Sequence, residues 1–247
     1  RHDAVEALIN NSAALYDIKT DLAKVYDLER LMTRIIYKAA NAKDVKALGA
    51  TCRILPQLKS DLSQISTQLT KSLDKKISPL DDIADLVERA IADEPPALMK
   101  DGGYIKNGFN EELDRLRNIT GGGKDLLAQI EQQEKEATGI KNLRVGYNRV
   151  FGYYIEVSKG NVSMVPDRYV RKQTLTNGER YITDELKKIE NEILGANDKI
   201  LALEAAIFAE VREFIAQRLD LIQQTAESVA ALDVLCSYAV VSIETTT

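Results

Sequence analysis

The chain has 247 residues, 45% hydrophobic and 29% charged, with a formal net charge of −5; that is enough apolar material to bury a core in one large or two small domains, and it excludes extensive disorder. Aromatic residues make up only 6%, with 5 Pro and 13 Gly, a balance that favours long solvated helices over a sandwich or barrel. Cys52 and Cys236 lie far apart with no partner spacing, so a disulfide framework and a zinc site are excluded and a reducing compartment fits.

The first residue is Arg1 and the last are Glu244-Thr-Thr-Thr, so both ends read as cuts through a longer protein with no leading signal sequence. Apolar residues spaced by three and four predict helices over Asp3 to Val25, Leu28 to Ala40, Asp44 to Ile54, Leu58 to Leu73 and Leu80 to Asp93. Start signals support them: Asp27 before Leu28, Asn41 with Asp44 three positions on, and Ser78 before Pro79. Pro56 and Glu94-Pro95-Pro96 are expected to break the run. Tyr104 to Phe109 reads as a short extended piece or tight turn, and Glu111 to Thr120 returns to helix. Gly121-Gly122-Gly123 interrupts that helix, which resumes from Lys124 to Ala137.

The texture and the charge then change together. Between Lys141 and Thr183 stand eight basic residues, Lys141, Arg144, Arg149, Lys159, Arg168, Arg171, Lys172 and Arg180, against Glu156, Asp167 and Glu179, a net +5 that leaves −10 for the rest. Val145, Tyr147, Phe151, Tyr153, Ile155 and Val157 share one parity, the period of a strand with one buried face. Lys159-Gly160-Asn161 supplies a turn, and Tyr169 to Leu175 reads as the partner strand of a small antiparallel sheet.

Beyond it, Leu186, Ile189, Ile193, Ala196, Ile200, Leu203 and Ile207 step alternately by three and four, a heptad seam that Val211 and Phe214 continue after one shifted step. A single helix from Asp184 to Ile222 would span roughly 58 Å at about 1.5 Å per residue. Its facing helix is expected within Glu111 to Ala137. The longest uncharged apolar stretch, Val234 to Ile243, is about half of a membrane crossing, so no membrane association is expected. The fold class is mainly α: long lever helices, a helical core bundle and a small inserted antiparallel β module.

The segments Val145-Gly-Tyr-Asn-Arg-Val-Phe-Gly-Tyr-Tyr-Ile-Glu-Val157 and Tyr169-Val-Arg-Lys-Gln-Thr-Leu-Thr-Asn-Gly-Glu-Arg-Tyr-Ile182 closely resemble the clamp of MutS-type DNA mismatch-repair proteins. The resemblance extends to Arg1-His-Asp-Ala-Val5, Tyr26-Asp-Leu-Glu-Arg-Leu31, Asp93-Glu-Pro-Pro96, Asp101-Gly-Gly-Tyr-Ile-Lys106, Glu112-Leu-Asp-Arg-Leu-Arg117 and Ala231-Leu-Asp-Val-Leu235, in effect the whole chain. It implies core and lever helices over residues 1–122, a clamp over 123–184 and a returning lever and core over 185–247. It also implies that the family's mismatch-reading domain and ABC-type ATPase lie outside this chain. Gly123-Lys124-Asp125, with Asn118 where a first glycine belongs, is not a phosphate loop. Phe109-Asn110-Glu111 matches the family's mismatch wedge by chance, because that motif belongs to the absent domain. Gly178 departs from the alanine of many relatives, and the triple glycine is looser than the family pattern. For the parent protein the resemblance implies ATP and magnesium as cofactors, a homodimer, a MutL-type partner, mismatched double-stranded DNA held by its backbone, and a bacterial cytoplasmic, nucleoid-associated location. No cofactor is expected on this chain itself.

A clamp resting on duplex DNA without reading bases needs cations and short amides that meet phosphates. Candidates are Lys159 and Asn161 in the expected turn and Arg171, Lys172, Thr174 and Asn177 on the returning strand and its loop, followed by Arg168 and Arg180. The plainer alternative is a solvated sheet face. Tyr147, Tyr153, Tyr154 and Tyr169 could stack on bases, but the alternation favours packing. His2 is the only histidine, and no nucleophile stands beside a base, so no catalysis is expected. The rival function is a structural coiled-coil module whose basic tip docks an acidic protein; a membrane-surface tip is weaker, for want of an exposed apolar helix face.

Overall fold

The computed structural model describes residues 1–25 and 27–246; Tyr26, the first residue of one motif quoted above, and Thr247 lie outside the described residues. The chain forms two compact units, Arg1–Phe109 with Glu204–Thr247, and Asn110–Leu203. The fold is mainly α with one small antiparallel sheet.

The first unit contains α1 (His2–Asn10), α2 (Ser12–Val25), α3 (Leu28–Ile36), α4 (Ala42–Leu62), α5 (Gln68–Lys76) and α6 (Asp81–Ala90), the end of α8 (Asp184–Ala216) and α9 (Leu219–Thr246). Local chemistry accounts for several boundaries. Asn41 and Asp44 exchange reciprocal side-chain to backbone hydrogen bonds at the start of α4, the capping box that their spacing predicts. The long helix expected to Val25 divides at Asn11, whose Oδ1 accepts from the Ala14 amide at 3.1 Å.

Pro56 does not break its helix. Val45, Leu48, Cys52, Leu55, Leu58 and Leu62 are all buried along α4 on both sides of it, so the packed stripe outweighs the lost backbone bond, about 3 kcal/mol. The run expected from Leu58 to Leu73 is likewise two helices, because Thr67 and Thr70 form a second capping box that starts α5. Ser78 caps nothing: its amide donates to Thr225 Oγ1, and α6 begins after Leu80, which adopts a left-handed φ of 50°. Tyr104 to Phe109 contributes a short antiparallel bridge, Ile91 to Ile105, and buried Glu204 accepts the amides of Gly103 and Ile105.

The helix expected from Asp184 to Ile222 ends at Ala216, and α9 restarts at Leu219. Arg218 sits at the break, with its guanidinium over the Phe214 ring and its Nε bonded to Asp82. By length and composition α9 could cross a membrane. Its buried residues, among them Ile222, Val229, Leu232, Leu235 and Ala239, instead face a helical core shared with α1, α2, α3 and α5.

One buried feature of this unit carries a pH signature. Asp21 on α2 and Asp61 on α4 are both buried, and Asp21 Oδ2 has no hydrogen-bond donor. Burial, then the hydrogen bond and charge of Asp61, raise the Asp21 carboxyl from 3.8 to about 7. A carboxyl whose folded value is raised stabilises the fold fully below its unfolded value and loses that contribution as pH rises to the folded one. Asp21→Asn should therefore flatten the decline in thermal stability between about pH 4 and pH 7 and raise stability at pH 8 by a few kcal/mol, measured by calorimetry across pH.

In the second unit α7 runs unbroken from Glu111 to Thr138, through the three glycines expected to interrupt it. Gly123 has a packing reason: a Cβ there would lie 2.5 Å from Ile193 Cγ1 on α8, so the glycine permits the close approach. Leu186 and Ile193, two positions of the α8 seam, thus pack with Leu127 and Ile130 of α7.

The period of two between Val145 and Val157 belongs to a hairpin rather than one strand. β1 (Arg144–Asn148) and β2 (Gly152–Ser158) pair with Val145 opposite Ile155 and Tyr147 opposite Tyr153. This register matches odd residues with odd ones, so the alternation runs through the turn unchanged. β3 (Val170–Thr174) and β4 (Gly178–Ile182) complete a sheet of order β1-β2-β4-β3. Ile155, Val157, Tyr169 and Tyr181 pack on Leu127 and Ile130 of α7 and on Leu186 and Ile193 of α8. Gly152 (φ +88°) leaves room for Glu190, whose Oε1 accepts the Tyr153 amide and ties the hairpin to α8.

Candidate nucleic-acid interface

Lys159 does not sit in a hairpin turn. It opens a 3-10 segment, Lys159–Met164, and its amide donates to the Asn177 carbonyl at 2.9 Å. That bond brings the end of β2 beside the β3–β4 turn, which is closed by the Leu175 amide on the Gly178 carbonyl. Asn161 belongs to the same cluster: its Nδ2 donates to Ser158 Oγ and Asn142 Oδ1, each at 3.0 Å. Lys159, Asn161, Thr174 and Asn177 thus meet at one end of the sheet, and all but half-buried Asn161 are exposed.

Lys172 is the extra residue of a bulge in β3, between Arg171 and Gln173. β3 is an edge strand, and a bulge there re-aims a side chain away from the ladder. Arg171 is exposed, and its contact to Glu179 is long, 3.4 Å. Among the described residues Lys141, Lys159 and Lys172 make no ion pair.

Arg168 and Arg180 are held differently. Arg168 donates both terminal nitrogens to Glu134, at 2.7 and 2.5 Å, and the Tyr169 hydroxyl donates to the same buried carboxylate. Burial alone would raise the Glu134 carboxyl; the hydrogen bonds from Arg168 and Tyr169 hold it below the usual range. Arg180 donates to Glu156 and Gln173, each at 2.9 Å, and lies 4.3 Å from the Tyr154 ring centroid. Glu156 also accepts from Arg144 at 2.7 Å, and these two arginines outweigh burial to keep its carboxyl low. Both arginines are engaged in holding the sheet together, a role that spacing along the chain does not reveal.

Asn142 and Ser158, absent from the sequence reading, complete the polar end, with Asn142 Nδ2 donating to Ser158 Oγ at 3.0 Å. No local signal marks them; the β1–β2 pairing and the 3-10 segment bring them there. Tyr154, Tyr169 and Tyr181 are buried, and Tyr147, about half exposed, packs edge-on against Tyr153 by the β1–β2 turn, whereas the end of the sheet at Lys159 presents polar side chains. Such groups can donate hydrogen bonds to phosphate oxygens. Lys124 lies within α7, where backbone amides are committed to helix bonds, so the residues around it do not fit a nucleotide phosphate. Among the described residues no group of three or more His, Cys, Asp or Glu could hold a metal ion.

Comparison with known proteins addresses the same residues. The family model described as MutS family domain IV matches residues 108–199. The chain is 50% identical over 244 residues to the DNA mismatch repair protein MutS of Caldicellulosiruptor bescii, covering 99% of this chain and 28% of the relative. It is 47% identical to that of Caldicellulosiruptor saccharolyticus, with the same coverage, and 48% to that of Caldanaerobacter subterraneus subsp. tengcongensis over 98% of this chain and 28% of the relative. The chain therefore spans a little over a quarter of these relatives' length. With close to half its residues identical along nearly all of its length, the chain belongs to the MutS family of DNA mismatch-repair proteins.

Proposed function

We propose that the Asn110–Leu203 unit is a non-catalytic clamp that holds double-stranded DNA through sequence-independent phosphate contacts, and that α7 and α8 are levers linking it to the rest of a repair protein. The observation that carries this reading is the gathering of Lys159, Asn161, Thr174 and Asn177 at one end of the sheet, with Arg171 and Lys172 on its edge strand. In the same proposal, ATP and magnesium act in a part of the parent protein beyond this chain. The parent works as a homodimer with a MutL-type partner on mismatched DNA, in the bacterial cytoplasm and associated with the nucleoid.

The reading is tested by salt. If Lys141, Lys159, Arg171 and Lys172 neutralise about four phosphates, the logarithm of the association constant should fall against the logarithm of salt concentration with a slope near −3.6, from about −0.9 per contact. The slope is measured by fluorescence anisotropy on two duplexes of unrelated sequence, which should give the same value. A flat response would instead support a coiled-coil module that docks an acidic protein.

A further inference from the structure

Two side-chain pairs meet across α2 and α4. Asp17 and Asp21 stand four residues apart on α2, and Gln57 and Asp61 four apart on α4, so each pair shares one face of its helix. Both faces line a single cleft of about 300 Å³, with Tyr16 and Thr20 as its remaining walls. Three acids and an amide thus converge from two packed helices, and no cationic side chain lines the cleft.

Donors and acceptors do not balance there. Asp21 is 5% exposed and Asp61 8%, yet Asp21 Oδ2 has no hydrogen-bond partner among the described residues. The Thr20 hydroxyl donates instead to the Tyr16 carbonyl, at 2.9 Å. Gln57 Nε2 donates to Asp61 Oδ1 at 3.0 Å, which leaves the amide oxygen as a further acceptor. Lys24, whose charge reaches Asp21, is exposed and makes no ion pair among the described residues. A proton shared between Asp21 and Asp61 satisfies one oxygen of each and leaves Oδ2 bare. Buried carboxyls side by side are retained where a positive partner neutralises them.

Carboxylate and amide oxygens select hard cations over zinc or copper. The buried oxygen can be met only by an ion that sheds water on that side. Magnesium dehydrates reluctantly, whereas calcium accepts irregular oxygen shells. We propose that Asp21, Asp61 and the Gln57 amide oxygen bind one divalent cation of the calcium type, with Asp17 reaching it through water, and that the ion staples α2 to α4. The direct ligands are two acids and an amide, in keeping with the absence of a three-acid cluster among the described residues.

The test is calorimetric titration of calcium and of magnesium into the chelator-treated chain at about pH 8. Calcium should bind once, with a dissociation constant on the order of 0.1 mM, and more tightly than magnesium. Asp21→Asn should weaken calcium at least about tenfold. Asp220→Asn, which removes an exposed carboxylate outside the cleft, should leave it unchanged. About 10 mM calcium should raise the melting temperature of the parent chain by about 5 °C or more and that of Asp21→Asn hardly at all. The Asn variant keeps the fold, since it removes only a buried charge, so its loss of binding is not a loss of structure. Absence of saturable calcium binding, binding that Asp21→Asn leaves intact, or magnesium binding as tightly as calcium would each overturn the site.

Discussion

Duplex binding should weaken by at least about 100-fold when Lys159→Glu and Lys172→Glu are combined. Neither lysine has an ion-pair partner among the described residues, so on the proposed clamp reading reversing them removes two phosphate contacts and adds two repulsions without leaving a buried charge unpaired. The salt slope should fall from about −3.6 to about −1.8, since each lost contact removes about 0.9. Loss should be equal on unrelated sequences, because phosphate contacts carry no base information. Thermal stability should stay near that of the parent chain, as both side chains are exposed. An unchanged affinity and slope would sink the clamp reading. Arg180 provides the contrast: replacing it should lower stability first, because its guanidinium joins Glu156, Gln173 and the Tyr154 ring.

Glu134→Ala should destabilise the Asn110–Leu203 unit by about 2–3 kcal/mol at pH 7. Its carboxylate is buried and takes three hydrogen bonds, two from Arg168 and one from Tyr169. Removing it strands the Tyr169 hydroxyl in the core beneath β3. Arg168 is about half exposed, so water solvates part of what it loses, which places the cost below that of a wholly buried pair. For a unit of this size the transition should fall by about 10 °C or more. The sign of the pH effect follows from the depressed Glu134 carboxyl. Its contribution is present above the unfolded value near about 4.3 and is lost as pH falls through the folded one, so parent and variant should converge in acid. A variant that melts with the parent at pH 7 would show that the ion pair contributes nothing.

The elements differ in how openly the sequence declares them. Asn41 with Asp44, and the steps of three and four from Leu186 to Ile207, act over one or two helical turns, and the structure contains both. The basic character of residues 141–183 is a count, equally visible in the chain. Pro56 misleads because a local rule about a missing amide competes with a stripe of buried leucines that only the neighbouring helices create. The three glycines mislead in the same way: Gly123 is tolerated because Ile193 fills the space above it, a partner 70 positions further along the chain. The hairpin hid inside one alternation because its register pairs odd residues with odd.

The candidate site divides along the same line. Residue type, read within the clamp that the family resemblance implies, marked all eight polar candidates, since charge and hydrogen-bonding groups belong to each side chain wherever it lies. Which of them are free to meet a phosphate was decided by the fold. Glu134 and Glu156 claim Arg168 and Arg180, while the bulge at Lys172 and the bond from Lys159 to Asn177 leave the lysines exposed. The sequence by itself determined the helical class, the basic module and the family. Only the tertiary structure decided where helices end and which cations are spoken for, because both depend on contacts between residues distant in the chain.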